Sequence, residues 1–350
     1  MEQKTTAISQ LGEFGLIHLL TKDFENHNKN VIKGVGDDCA VIDNGTDKYT
    51  LISTDILAEG IHFDLMYTPL KHLGYKAVAV NVSDICAMNG KAEYITVSMS
   101  VSSKYTVEAM EELYSGIKLA CEKYNVELIG GDTTSSLKGM FLSITVIGSV
   151  EKEKVAYRSG AKPKELICCS GDLGAAYMGL QLLEREKQIF MAHPGVSPDL
   201  ENQKYLLERE LKAEARIDII NILKKHNIIP TSMIDISDGL SSEIHHICRN
   251  SNCGATLFEE KIPIHSDTYE MAVKMNIDPM TTAMNGGEDY ELLFTISQSD
   301  YDKIKDENDI NIIGYITEEP GIVNLITKGN NSVKIEAKGW KAFNNDAASV

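Results

Sequence analysis

Short acidic motifs follow apolar runs at several places along this chain, and their recurrence constrains the fold more than any other feature. The motifs are Gly36-Asp37-Asp38, Ser53-Thr54-Asp55, Ser83-Asp84, Gly130-Gly131-Asp132 and Asp235-Ile236-Ser237-Asp238-Gly239. Carboxylates that gather in one cleft repel one another unless protons or cations neutralise them. Hard divalent cations prefer such oxygen ligands. The recurrence therefore predicts a fold that brings distant segments to one multi-metal site, with Mg²⁺ as the expected ion.

The length and the composition predict two domains of mixed structure. A chain of 350 residues exceeds one ordinary hydrophobic core. Between residues 151 and 163 the apolar pattern gives way to Lys, Glu, Gly and Pro, which is typical of a domain border. We expect an N-terminal domain over 1–150 and a C-terminal domain over 151–350. Strand and helix patterns occur on both sides of this border, so each domain is expected to be α/β (α+β).

Hydrophobic periodicity predicts the elements that carry the motifs. Predicted helices cover 13–20, 74–88, 107–124, 175–186 and 240–250, and a long charged helical segment covers 200–225. Predicted strands cover 40–42, 49–54, 94–101, 140–150, 165–169, 232–236, 292–296 and 310–316, and 126–129 is expected to be a buried strand. Asp84 then lies near a helix C-terminus, where a negative charge is unfavourable. We therefore expect a cation opposite it.

Charge and cysteine usage exclude several classes of protein. The net charge of −17, from 51 acidic and 34 basic residues, argues against nucleic-acid binding, which needs a cationic face. The seven cysteines include no C-x-x-C pair and are expected to be reduced core residues. The chain begins Met1-Glu2-Gln3-Lys4 without a targeting signal, and no apolar stretch has the length that a bilayer requires. We expect a cytoplasmic protein without a membrane partner.

Each motif also has an ordinary structural interpretation. Gly36-Asp37-Asp38 alone is usually a turn, and Asp55 could equally end a strand or cap a helix. The segment 235–239 is the strongest motif, because acids and a hydroxyl lie where a predicted strand meets a helix N-terminus, which attracts phosphate.

Three further residues are candidates for substrate contact. Arg158 is expected to fork onto phosphate oxygens. His62 could donate to a phosphate, although a single histidine is more often structural. Glu288, in a glycine turn, could accept from an amine of a cationic substrate. The chain has no G-x-x-x-x-G-K-[ST] loop and no kinase-type glycine loop, so phosphates are expected to be held through metals.

Taken in order, the motifs resemble those of thiamine-monophosphate kinases, which belong to the aminoimidazole-ribonucleotide synthetase superfamily. The segments are V-G-D-D-C-A (35–40), S-T-D (53–55), H-F (62–63), A-V-N-V-S-D-I-C-A-M (79–88), G-G-D-T (130–133), R-S-G (158–160), I-D-I-S-D-G-L (234–240) and G-G-E-D-Y-E (286–291). They span nearly the whole chain. The resemblance implies a two-domain synthetase-like fold whose N-terminal mixed sheets pair into a barrel-like interface of a homodimer.

The resemblance also implies ATP-dependent phosphorylation of thiamine monophosphate to thiamine diphosphate. Matching positions imply several Mg²⁺ ions held by Asp38, Ser53, Thr54, Asp55, Asp84, Asp132, Asp235 and Asp238. They imply ATP contacts at Tyr114, Gly131, Asp132, Arg158 and Ser237, and thiamine-phosphate contacts at His62, Glu288 and Trp340. We expect no catalytic side chain, because the acceptor phosphate is already ionised and direct transfer needs charge neutralisation rather than a strong base.

One segment departs from the family pattern. Where the family carries Arg-x-Leu-x-Pro-x-Pro-Arg, residues 210–216 read E-L-K-A-E-A-R without a proline, and we expect this region to be more continuously helical.

Three other functions are weighed. An aminoimidazole-ribonucleotide synthetase gives no reason for Glu288 and Trp340. A selenophosphate-type enzyme needs a reactive Cys or selenocysteine with a Lys in a glycine-rich N-terminal segment, and residues 1–13 offer neither. A regulatory module that binds divalent cations without catalysis is the alternative from another class. ADP release that depends on thiamine monophosphate would separate these functions.

Overall fold

The computed structural model describes residues 6–337, whose strands form one six-stranded and one seven-stranded sheet. The predicted mixed α/β class is confirmed. Trp340 lies outside the described residues. No helix within 6–337 combines the length and apolarity needed to cross a membrane. All seven cysteines are free and six are buried, which agrees with reduced core residues.

The first sheet is built from residues up to Glu151. Its strands are β1 (Val31–Lys33), β2 (Ala40–Asp43), β3 (Lys48–Ala58), β4 (Lys91–Val101), β5 (Glu127–Ser135) and β6 (Phe141–Glu151). The helices of this part are α1 (Gly12–Thr21), α2 (Leu70–Ala87) and α3 (Val107–Tyr124), preceded by a 3-10 turn, Ile8–Gln10. The strand order is β1-β2-β3-β6-β4-β5, and all neighbours are antiparallel except β4 and β5.

The second sheet begins at Leu166. Its strands are β7 (Leu166–Ser170), β8 (Ser232–Ile236), β9 (Gly254–Phe258), β10 (Glu291–Ile296), β11 (Ile310–Thr317), β12 (Val323–Ile326) and β13 (Ser332–Lys334), in the order β13-β12-β9-β11-β7-β10-β8. The helices are α4 (Ala175–Ala192), α5 (Lys204–Leu211), α6 (Ile217–Lys225), α7 (Leu240–Ser251), α8 (Ser266–Lys274), α9 (Pro279–Asn285) and α10 (Tyr301–Ile304). Two 3-10 turns, Glu259–Lys261 and Gln298–Asp300, complete this part.

Helix α2 lies between the two sheets and is buried over most of its length. A Cβ on its Gly74 would lie 2.0 Å from the carbonyl oxygen of Leu113 in α3, and one on Gly116 of α3 would lie 1.9 Å from that of Lys71. Real side chains do not tolerate such approaches, so the two glycines set the distance between the helices. This packing fixes the helix that carries Asp84.

Strand β5 is an exposed edge of the first sheet. All of its residues are exposed, including Leu128 at 46% and Ile129 at 55%, whereas Val126 just before it is buried at 4%. The prediction of a buried strand at 126–129 is therefore wrong within this chain, because no element of residues 6–337 covers Leu128 and Ile129. Ile56 and Phe141, on the sheet face turned away from α2, are also exposed.

The charged segment 200–225 is two helices rather than one. Helix α5 ends at Leu211 and α6 begins at Ile217. Between them the backbone N–H of Ala215 donates to the Tyr124 hydroxyl at 3.0 Å, and the Arg216 guanidinium pairs with buried Glu291. These tertiary contacts interrupt the helix without a proline. The expectation of a more continuous helix at 210–216 is wrong for this reason.

Candidate functional site

An open cleft of about 1860 Å³ is lined by residues from both halves of the chain. This volume exceeds the roughly 300–1,000 Å³ of a typical single-ligand pocket, so two ligands can occupy the cleft together. Most residues predicted from the sequence line it, namely Asp38, Ser53, Thr54, Asp55, His62, Asp84, Arg158, Asp235, Ser237, Asp238 and Glu288.

Three carboxylates from three different segments meet inside the cleft. Asp38 lies in the turn before β2, Asp84 in the last turn of α2 and Asp235 in β8. One carboxylate oxygen of each lies within 4.8 Å of the others. Two unit charges at such a distance repel by about 3 kcal/mol at an effective dielectric constant of about 20. Within residues 6–337, a single ion pair neutralises a member of this triad. It joins Arg158 to Asp38.

Neighbouring polar groups hold these carboxylates in place. The Ser53 hydroxyl donates to Asp84 Oδ2 at 2.5 Å, and the Ser83 hydroxyl donates to Asp235 Oδ2 at 2.7 Å. Ser53 and Asp55 lie in the middle of β3 rather than at its end. They point to the same face because strand side chains alternate. This part of the cleft is therefore built on regular elements.

Burial and mutual repulsion disfavour the ionised form of the acids. Burial raises the pKa of Asp235 to about 7, and the charge of Asp38 adds to this. Burial likewise raises the pKa of Asp238 to about 7 and that of Asp55 to about 6, and it raises the pKa of Asp84 well above its usual range. The acids therefore require protons or a cation near neutral pH.

The residues present fit a divalent cation. Asp38 Oδ2 is buried and has no hydrogen-bond partner among the described residues, and its neighbours in the triad supply further carboxylate oxygens at close range. Hard cations take such oxygens as ligands. We expected a cation opposite Asp84. Within residues 6–337 no basic side chain forms an ion pair with Asp84, and the nearby Arg158 pairs with Asp38 instead.

Arg158 lies beside the triad and keeps a free donor. Its Nη2 donates to Asp38 Oδ1 at 2.7 Å, and its backbone N–H donates to Asp37 Oδ1 at 3.0 Å. Its Nε is buried without an acceptor in the described part of the chain. Asp37 therefore positions Arg158, and the free N–H suits an anionic ligand.

The segment between β8 and α7 lies on the same side of the cleft. Ser237 and Asp238 both line it, and Gly239 precedes α7 with a φ of 118°. The Ser237 carbonyl oxygen accepts from the backbone N–H of Glu288 at 2.7 Å. The turn before α7 is thereby tied to the loop that carries Glu288.

Glu288 and His62 line another part of the cleft. Glu288 has a φ of 60°, which is uncommon for a residue other than glycine, and its Oε2 pairs with Lys76 Nζ at 2.7 Å. His62 Nδ1 accepts from the backbone N–H of Ala58 at 3.1 Å. Burial lowers the pKa of His62, so its ring is neutral near pH 7.

Three predicted ATP or metal contacts do not line the cleft of the single chain. Gly131 and Asp132 lie in β5, which is three strand positions from β3 and hence about 14 Å away. Tyr114 is a half-buried residue of α3 that packs against the core. Thr54 lines the cleft, but its hydroxyl donates to the Ile144 carbonyl at 3.1 Å within the sheet. The roles of these residues stay predictions.

Two residues of the site were missed from the sequence, namely Glu210, which lines the cleft, and the buried Lys76, which pairs with Glu288 behind the cleft wall. Lys76 directly precedes the run 77–88, which is mostly apolar and contains no basic residue, and this position could have marked it. Glu210 lies in a helical segment that is rich in charge, so its pattern gives no signal.

Comparison with known proteins covers nearly the full chain. Residues 36–150 match the family described as AIR synthase related protein, N-terminal domain. The chain is 33% identical over 341 residues to the thiamine-monophosphate kinase of Bacillus subtilis (strain 168), with 95% of this chain and 100% of that protein covered. It is also 33% identical over 336 residues to that of Aquifex aeolicus (strain VF5), with 96% and 99% covered. A solved structure of AaThiL complexed with AMPPCP and TMP has a TM-score of 0.82 at 32% identity, covering 97% of this chain and 100% of that chain.

Proposed function

This chain belongs to the thiamine-monophosphate kinase family, and on that premise we propose that it transfers a phosphoryl group directly from ATP to thiamine monophosphate at a magnesium site. The chain is accordingly an enzyme, a thiamine-phosphate kinase. The observation that carries the site is the meeting of Asp38, Asp84 and Asp235 within 4.8 Å. The complex of AaThiL with AMPPCP, an ATP analogue, and TMP supports the pair of substrates.

The reaction exchanges one phosphorus–oxygen bond for another. The bond from the γ-phosphorus to the oxygen that bridges it to the β-phosphate breaks, and a bond to a phosphate oxygen of thiamine monophosphate forms. ADP and thiamine diphosphate are the products. The attacking oxygen is already ionised near pH 7, so no side chain has to remove a proton. Transfer is direct, and no phosphorylated aspartate forms.

The side chains of the cleft manage charge and position. Mg²⁺ held by Asp38, Asp84 and Asp235, with Asp55 and Asp238 nearby, would offset the negative charge of both substrates and of the transferred group. Ser53 and Ser83 orient two of these carboxylates through their hydroxyls. Arg158 offers its free Nε–H to a phosphate oxygen. Ser237, in the turn between β8 and α7, adds a contact for ATP.

The other end of the cleft suits thiamine monophosphate. Glu288 presents a carboxylate to the cationic ring, and His62 lies nearby as a neutral ring, as expected from the lowered pKa of its imidazole. Trp340 remains a predicted ring contact. Charge attraction orients the substrate so that its phosphate faces the aspartates.

A homodimer accounts for the residues that lie away from the cleft. The uncovered face of the first sheet and the exposed strand β5 are surfaces through which two N-terminal domains, 1–150, would pair. Such pairing brings Gly131, Asp132 and Tyr114 of one subunit towards the nucleotide site, while residues 151–350 complete the substrate site. The free, buried cysteines are consistent with a cytoplasmic enzyme.

Coupled measurement of ADP release tests the proposal. With ATP and Mg²⁺ present, we expect release that depends on thiamine monophosphate and stops when a chelator is added. Release that does not depend on thiamine monophosphate, or no release, would contradict the kinase reaction, and no release would favour a regulatory cation-binding module. An acyl-phosphate found on an aspartate by mass spectrometry would contradict direct transfer, and a monomer in light scattering would contradict the dimer.

A further inference from the structure

Glu210 is a buried acid that lines the cleft and lacks a complete set of partners. The residue is 6% exposed. Its Oε1 lies 3.4 Å from Lys76 Nζ, but its Oε2 is buried without a hydrogen-bond partner in the described part of the chain. Buried carboxylate oxygens are normally satisfied. An unsatisfied acceptor on the wall of a cleft indicates a donor on the ligand.

Lys76 joins Glu210 to the predicted substrate contact Glu288. Its ammonium contacts the Glu210 carbonyl oxygen at 3.1 Å in addition to the Glu210 carboxylate, and it contacts Glu288 Oε2 at 2.7 Å. The Lys76 side chain is only 4% exposed, so it cannot turn away to solvent. One ammonium therefore holds two carboxylates, from α5 and from the loop after α9, beside each other.

The charges of this group do not balance when both acids are ionised. Burial alone would lower the pKa of Lys76, but Glu210 and Glu288 outweigh it and raise this pKa, so the ammonium carries one positive charge against two carboxylates. Burial and Glu288 raise the pKa of Glu210 to about 7, against the opposing effect of Lys76.

The lysine and the arginine that line the cleft form ion pairs with other acids rather than with Glu210. Lys187 pairs with Asp64 at 2.8 Å, and Arg158 pairs with Asp38 at 2.7 Å. A ligand that brings both a positive charge and an N–H donor would therefore satisfy Glu210 and Glu288 together. Thiamine monophosphate has both groups, a cationic thiazolium ring and an amino group on its pyrimidine ring.

We propose that Glu210 is a further substrate-binding residue, whose Oε2 accepts a hydrogen bond from the amino group of the pyrimidine ring. Lys76 is a positioning residue that holds Glu210 and Glu288 on one side of this ring system. The inference rests on the proposed function, because Glu288 was assigned to the same substrate there. It adds a specific donor and acceptor that no motif of the sequence indicates.

A binding cycle tests the inference without relying on turnover. Thiamine monophosphate, and an analogue that lacks the pyrimidine amino group, are titrated by calorimetry into the full-length protein with Mg²⁺ and AMPPCP. The proteins are the unchanged chain, Glu210→Gln and the control Glu208→Gln. Glu208 lies two residues away in the same helix, is 57% exposed in its side chain and pairs with Lys204. Gln keeps an oxygen for Lys76, so the fold is expected to survive.

We expect Glu210→Gln and loss of the amino group each to weaken binding about tenfold or more, because a hydrogen bond to a charged group is lost. The two changes together are expected to cost no more than either alone, and Glu208→Gln is expected to have no effect. Losses that multiply, or no loss in Glu210→Gln, would overturn the inference.

A second variant keeps the test decisive if Glu210→Gln does not fold. Glu210→Asp retains a negative charge near Lys76, but its shorter side chain withdraws the acceptor oxygen from the ligand. We expect this variant to bind thiamine monophosphate about tenfold or more weakly and to bind the analogue without the amino group as well as the unchanged chain does. Equal weakening of both ligands would overturn the inference. An unchanged chain that binds thiamine monophosphate but releases no ADP contradicts only the proposed reaction, whereas one that does not bind it contradicts both.

Discussion

Replacing Asp235 with Asn should stabilise the metal-free protein while it abolishes activity. Asp235 is 3% exposed and belongs to the triad whose oxygens lie within 4.8 Å of one another. Its Oδ2 accepts from the Ser83 hydroxyl at 2.7 Å. Asn has the same shape and keeps an acceptor oxygen for Ser83. The substitution therefore removes the charge without opening a cavity.

The magnitude follows from the raised pKa of Asp235. Burial, and then the charge of Asp38, raise this pKa from 3.8 to about 7, which corresponds to a penalty of about 4 kcal/mol for the ionised folded state. At pH values between these two pKa values, Asp235 is protonated in the folded state and ionised in the unfolded state. The free energy of unfolding therefore falls as pH rises through this window, and the full penalty is present above it. Since the neighbouring acids share the repulsion, we expect Asn to recover about 2–4 kcal/mol at pH 8.

Thermal unfolding in a chelator at two pH values measures this effect. At pH 8 we expect the melting temperature of Asp235→Asn to exceed that of the unchanged chain by several degrees, with a smaller difference at pH 5. Asp302→Asn is the control, because the Asp302 side chain is 81% exposed. Turnover of Asp235→Asn with Mg²⁺ should fall by several orders of magnitude. A lower melting temperature for Asp235→Asn, or a gain of equal size at both pH values, would refute the reasoning.

Three further predictions concern the metal site, the nucleotide site and the packing of α2. Asp84→Asn should reduce turnover by several orders of magnitude with an unchanged circular dichroism spectrum, because metal charge rather than packing is lost; normal turnover would make Asp84 structural. Arg158→Met should weaken AMPPCP binding about tenfold or more in calorimetry, and unchanged affinity would remove Arg158 from the nucleotide site. Gly116→Ala should destabilise the protein by about 2 kcal/mol or more, because its Cβ would lie 1.9 Å from the Lys71 carbonyl oxygen; an unchanged denaturant midpoint would show that α2 and α3 can separate at little cost.

Periodic segments with their own stop signals could be predicted from the sequence. Helix α3 coincides with the predicted span 107–124, and the residue that follows it, Asn125, has the left-handed conformation with a φ of 54°. Strand β8 likewise coincides with its prediction. In both, the local pattern and the tertiary burial agree, so neither overrides the other.

Other features depend on contacts that no local pattern encodes. The apolar run at 126–129 predicted burial, but periodicity does not reveal whether the covering surface belongs to the same chain, and Ile129 remains exposed. The break after α5 depends on the distant residues Tyr124 and Glu291. Short strands such as β12 and β13 were missed because their pairing partners, rather than their own sequence, define them.

The candidate site was predictable where chemistry is concentrated in short motifs. The acids at 38, 84 and 235 could be named in advance because each follows or ends an apolar segment, and the structure brings them together. Glu210 could not, because an acid in a charged helix is usually solvated. Its significance depends on the burial of the Lys76 ammonium, which only the packed structure reveals.

The rigidity of α2 has a consequence for the choice of substrate. Lys76 and Asp84 are eight residues apart in this one helix, so they lie about 12 Å apart along its axis. An α-helix packed between two sheets does not stretch, so it fixes the distance between the end of the cleft proposed to bind the ring and the end proposed to bind phosphate. Molecules whose charged ends are spaced differently would reach one end only, so length itself becomes a criterion of selection.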